Sequence, residues 1–142
     1  MSLEVYAAIS AAIAEGDRSR DAVLADHRLG VADWLVIQVT WNHAIAEDEM
    51  GSGERDLAEQ YGVFFASAQD ALKPAPDLAP EEWAAISDDV ARHGVGVLAE
   101  RGFTEPDFAR LKRAWTSMVT RDKGLADRVN AAIFERNQSV ER

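Results

Sequence analysis

Three histidines are the residues best able to do chemistry in this cysteine-free chain of 142 residues. His43 stands four residues before Glu47, with Asp48 and Glu49 following, and Asp89 stands four before His93. On a helix that spacing puts both members of a pair on one face. Two such faces hold the metal of carboxylate bundles, which also need several inward carboxylates in Glu-x-x-His spacing. That pattern is missing here. His43 also lies two positions beyond Trp41, about 200° around a helix of roughly 3.6 residues per turn. If Trp41 faces inward, His43 faces water. Neither a metal nor a cofactor is expected.

Nucleophilic catalysis needs a serine or threonine beside a histidine and an orienting acid. Ser10 and Ser87 each follow an isoleucine in mid-helix, and no Gly-x-Ser-x-Gly elbow occurs. Gly51-Ser52-Gly53 lacks the lysine and the preceding strand of a phosphate loop. It reads as a helix–helix connection in which Ser52 or Gly53 caps the next helix. A non-enzymatic chain is expected. Nucleic-acid chemistry has one foothold: residues 97–104 followed by 105–115 follow the rhythm of a helix-turn-helix, a short helix ending at Gly102 and a new one starting soon after. Arg110, Lys112 and Arg113 would face phosphate. The matching stretch of the first half has Val36, Gln38 and Val39 instead, on a helix apolar nearly all round, which suits burial.

The elements that would position these residues come in two sets. Tyr6-Ala7-Ala8-Ile9-Ser10 returns as Trp83-Ala84-Ala85-Ile86-Ser87, and Val23-Leu24-Ala25 as Val97-Leu98-Ala99. Asp33, Trp41 and Asp48 return as Asp107, Trp115 and Asp122, and Leu57-Ala58 as Leu125-Ala126. The offset falls from 77 (6 to 83) through 74 (23 to 97) to 68 (57 to 125), so the second copy is a shortened first copy. A repeat of this kind decides the architecture before any other signal.

Everything periodic in either copy is helical. Helices are expected over residues 2–15, 19–27, 30–48 and 54–73, then 81–92, 95–101, 105–121 and 125–136, with a polar tail at 137–142 that frays. Core stripes run through Tyr6, Ile9 and Ile13; Trp34, Trp41 and Ile45; Leu57, Tyr61, Phe64, Phe65 and Leu72; and Phe108, Leu111, Trp115 and Met118. Leu125, Val129 and Ile133 define the inner face of the last helix, which leaves Phe134 outside. Pro74, Pro76 and Pro80 interrupt the helical pattern, since proline lacks an amide donor and clashes with the preceding turn. The expected fold is therefore all-α: an internal duplication of a four-helix unit, about eight helices, with residues 1–73 as the first repeat, 74–80 as a Pro-rich linker and 81–142 as the second repeat. Units this small rarely sustain a large core alone, so a pseudo-two-fold pair sharing one core or a broad apolar interface is expected. With the offset of 74, Arg28 matches Gly102, a glycine placed where helices end in a left-handed turn. Arg28 should then adopt that conformation despite its side chain.

Charge separates the two copies. Residues 1–73 carry 13 acids and 5 bases, for −8; residues 74–142 carry 12 acids and 10 bases, for −2. A net charge of −10 repels nucleic acid and anionic membrane. No apolar run approaches the roughly 20 residues that cross a bilayer, no secretory signal opens the chain, and the lack of cysteine suits a reducing cytoplasm. The acids Glu47, Asp48, Glu49, Glu54, Asp56 and Glu59 crowd the junction of the third and fourth helices, where the second copy has a shorter connection. These readings converge on a protein-interaction module of adaptor, chaperone-like or immunity type. Its partner is a protein, basic in character, met by those six acids. The alternatives are a helix-turn-helix regulator and a helical bundle holding a small molecule or metal. No motif is specific enough to assign the chain to a family.

Overall fold

The computed structural model describes residues 1–140, with the side chain of Val140 outside the description. Among these residues there are eight helices and no strand: α1 (Leu3–Glu15), α2 (Arg20–Asp26), α3 (Val31–Met50), α4 (Leu57–Leu72), α5 (Pro80–His93), α6 (Val97–Glu100), α7 (Glu105–Arg121) and α8 (Lys123–Val140). The chain divides into two compact units, Met1–Lys73 and a second beginning at Pro74.

In the first unit α1 packs chiefly on α4, with α2 and α3 beside them. Its core is Leu3, Tyr6, Ile9, Val23, Leu24, Trp34 and Leu57, with Ile37, Trp41, Ile45 and Tyr61 packed around it. In the second unit α5 packs on α8 and α7 closes the bundle. Its core is Trp83, Ala84, Leu111, Trp115 and Val129, supported by Phe108, Leu125 and Ile133. Phe134 is exposed on the far side of α8. Each unit thus holds a buried cluster of its own.

Several local geometries recur between the units at the offsets read from the sequence. Tyr6 stacks on Trp41 with ring centroids 6.3 Å apart, and Trp83 on Trp115 at 6.2 Å. The α2 exit is a Schellman turn: Leu29 N donates to Leu24 O and Arg28 N to Ala25 O, both at 3.0 Å. The α6 exit repeats it, with Phe103 N donating to Leu98 O and Gly102 N to Ala99 O at 3.0 and 3.1 Å. Arg28 has φ 57° and Gly102 φ 77°, so the arginine does occupy the left-handed position. Asp33 accepts from Gly30 N at the start of α3, and Asp107 from Thr104 N at the start of α7, each at 3.0 Å. These carboxylates satisfy amides that the first helical turn leaves without partners.

Two helix ends differ from expectation by three residues or more. α4 starts at Leu57, not 54, because Asp56 adopts φ 49° and ends the connection from α3. Neither Ser52 nor Gly53 caps it; the cap comes from Asp48, at the far end of α3. Residues expected to fray belong to α8, which runs to Val140. Arg92 bonds Asn137, and Arg136 bonds Asp88 and Asp89, so the last turns of α8 are tied to α5. Glu141 and Arg142, the end of the expected tail, lie outside the described residues. Leu72 and Met118, placed on core stripes by their spacing, are exposed.

Candidate functional site

The six acids at the α3–α4 junction do not act alike. Asp48, half-buried, turns back into the fold: its carboxylate accepts from Arg55 N at 3.2 Å and from Leu57 N at 3.0 Å. That is a helix cap delivered from the preceding helix; Asp122, directly before α8, caps that helix locally by accepting from Leu125 N at 3.1 Å. Asp56 contributes through its backbone, its carbonyl accepting from Gln60 N at 2.9 Å. Glu47, Glu49, Glu54 and Glu59 remain exposed on the surface, together with the Asp56 side chain. Glu47 meets His43, with Nε2 and Oε1 3.0 Å apart. Of the sequence-predicted partner residues, then, Asp48 has a structural task and the others are available.

A feature that the residue pattern did not separate is the outward face of α3. Spacings of four and three alternate through Ala32, Val36, Val39, His43, Ala46 and Met50, the a/d rhythm of a heptad. All six are exposed. Val36 is 66%, Val39 69% and Met50 88% accessible, with Leu35 alongside at 49%. At about 100° per residue this row lies opposite Trp34, Ile37, Trp41 and Ile45, which face the core. The all-round apolar character of α3 does not mean burial, as the sequence suggested. α2 and α4 cover one side, and the other side is open. Asp33, Glu47 and Glu49 occupy the heptad positions flanking the row, and no basic residue does. The corresponding residues of the second unit are Pro106, Arg110, Arg113, Ser117, Thr120 and Gly124, which form no apolar row and include the buried Arg110.

The bases of the helix-turn-helix reading are not presented together. Arg110 is buried, 3.6 Å from Asp107, while Lys112 is exposed. Asp89 does not pair with His93; it bonds Arg101 at 2.6 Å and also Arg136. Among the described residues, no three His, Asp or Glu side chains gather so as to hold a metal ion. None of the helices described is long and apolar enough to cross a membrane.

A separate cleft of about 270 Å³ opens between α1, α3 and α4, lined by Tyr6, Ser10, Trp34, Gln38, Tyr61 and Phe65 among others. Its rings contact one another: Tyr6 lies 5.3 Å from Trp34 and 5.5 Å from Tyr61, and Tyr61 5.9 Å from Phe65. The Tyr6 hydroxyl donates to Asn42 Oδ1 at 3.3 Å. Burial, then the neighbouring Tyr61, raises the Tyr6 phenol above its ordinary value against a hydrogen bond from Ser10. The phenol stays neutral, its proton directed to Asn42. No protein-family model matches the chain, and neither a curated protein nor a solved structure does.

Proposed function

We propose that this chain is a non-enzymatic protein-interaction module that docks a partner on the outward face of α3. One observation carries the reading: a two-faced helix. Largely exposed valines give a helix little packing energy and lower its propensity, so Val36 and Val39 at two-thirds exposure contribute little to holding the first unit together. A contiguous exposed apolar row rimmed by charge is the usual mark of a protein contact. The test is a Val36→Glu/Val39→Glu double variant, compared with the parent in affinity capture from a lysate. Both sites are exposed, so stability should move by less than about 1 kcal/mol in total. The reading requires that proteins held by the parent are lost by the variant while the melting curve is kept. An unchanged captured set refutes it.

The aromatic cleft supports a second reading, binding of a small apolar molecule. Nile red, a neutral apolar probe, should then bind the parent and be displaced by Ala14→Trp, which fills the rim from an exposed position. Equal dye fluorescence in both proteins removes this reading.

A further inference from the structure

We infer that the occupant of the α3 face is an amphipathic helix whose apolar seam is flanked by lysine or arginine, paired with α3 in the manner of a short coiled coil. The inference rests on the docking role of that face and adds the partner's chemistry. From Ala32 to Met50 the exposed row covers about 27 Å at roughly 1.5 Å per residue. It keeps strict four–three spacing throughout, which is what a second helix needs to seat knobs into holes along a whole seam. A globular partner with an irregular surface would not require that register. Small Ala32 and Ala46 stand among larger Val36, Val39 and Met50, leaving holes for a partner's side chains. His43, the one polar residue of the row, stands mid-seam, where a polar group fixes register.

The flanking positions decide the charge. Asp33, Leu35, Thr40, Asn42, Glu47 and Glu49 fill them, so every charge beside the seam is negative. Glu47 and Glu49 bracket its C-terminal end, within a unit of net charge −8 (13 acids, 5 bases over residues 1–73). Two copies of α3 brought face to face would set this acidic rim against itself. Like charges across a seam disfavour pairing, and opposite charges select the partner. The same rim attracts a basic-flanked helix and speeds its encounter at low salt.

Two synthetic helices of about four heptads, long enough to hold helical structure, test this directly. Both carry Val and Leu in the seam; one has Lys at all flanking positions and the other Glu, so neither pairs well with itself. Fluorescence anisotropy on the full chain should show the Lys helix binding at least tenfold tighter than the Glu helix at low salt. That margin should shrink as screening increases. Val36→Glu/Val39→Glu should abolish binding, and Glu47→Lys/Glu49→Lys should reverse the preference. Equal binding of both helices, lost in the valine double variant, overturns the charge selection while leaving α3 a docking face. A dimer in light scattering that the valine double variant dissolves makes a second copy the occupant and overturns the proposal. Failure of both helices with a monomeric chain removes the helix partner, whereas retention of lysate capture by the valine double variant removes the docking face itself.

Discussion

Exchanging the residues of the two Schellman turns tests the correspondence between the units at its most local point. Arg28 holds φ 57° and Gly102 φ 77° in turns with the same hydrogen bonds. A left-handed conformation costs an ordinary L-residue about 1–2 kcal/mol, while glycine surrenders about 0.5–1 kcal/mol more chain entropy on folding. The difference leaves Arg28→Gly neutral to about 1.5 kcal/mol stabilising, and Gly102→Arg unfavourable by the same margin. Other contributions are small. Among the described residues the Arg28 guanidinium makes no ion pair, and a Cβ added at Gly102 meets nothing within 4 Å. For units of this size, 1 kcal/mol moves the melting temperature by about 4–8 °C. Calorimetry of the full chain should show Arg28→Gly melting at or a few degrees above the parent, and Gly102→Arg a few degrees below.

With two compact units, melting need not be a single two-state step. Amide hydrogen exchange should therefore assign the first change to α1–α4 and the second to α5–α8. An Arg28→Gly variant that melts well below the parent refutes the strain argument. So does a Gly102→Arg variant that melts no lower.

Other expectations follow from the caps, the core and the ion cluster. Asp48→Ala and Asp122→Ala should each cost about 0.5–2 kcal/mol by freeing the amides of Leu57 and Leu125, whereas Glu49→Lys should leave the denaturation midpoint unchanged; an equally harmless Asp48→Ala denies the capping role. Trp34→Ala removes a fully buried ring and should lose about 3–5 kcal/mol, read as a lower urea midpoint, and a midpoint within error of the parent contradicts the assigned core. Burial pushes the Asp88 carboxyl up, but hydrogen bonds from Arg92 and Arg136 outweigh it and hold the group below its ordinary range. The stability this supplies is full above the ordinary carboxylate pKa and is lost as pH falls through the depressed one; Asp88→Asn should flatten the acid limb of the second unit, and parallel limbs would deny it.

What the residues announced beforehand are the features closed by near neighbours in the chain. Asp33 and Asp107 sit three residues past the amides they cap, and Gly102 ends a short helix where a left-handed residue is needed. Such pairings depend on sequence spacing alone, so the repeat, the caps and the strained Arg28 were readable. Features closed by distant residues were not. α8 runs past its expected end because Arg92 and Arg136 reach between α5 and its last turns, across 45 to 48 residues of sequence. Asp48 reads as one acid in an acidic stretch, yet its carboxylate is committed to Leu57, nine residues on. The same limit hid the outward face of α3. An all-round apolar helix is the pattern of a helix buried on every side and equally of one buried on one side with an apolar face left open. Only the positions of α2 and α4 distinguish the two.

The contrast between α3 and α7 gives that open face its meaning. Both helices put a tryptophan inward against an aromatic residue of the first helix of their unit, Trp41 against Tyr6 and Trp115 against Trp83. Packing constrains those positions, and the two units agree there. At the positions matching the open face the units disagree: alanine, valine, histidine and methionine stand exposed along α3, whereas α7 has the buried Arg110 and half-buried Arg113 beside exposed Ser117 and Thr120. A largely exposed valine packs little and does not promote helix, so the first unit's own packing does not call for the apolar row on α3. On the proposed docking role, the row serves what it binds rather than the stability of the first unit. In that proposal a binding partner buries the row, and about 25 cal/mol per Å² of apolar surface is recovered only when the face is covered.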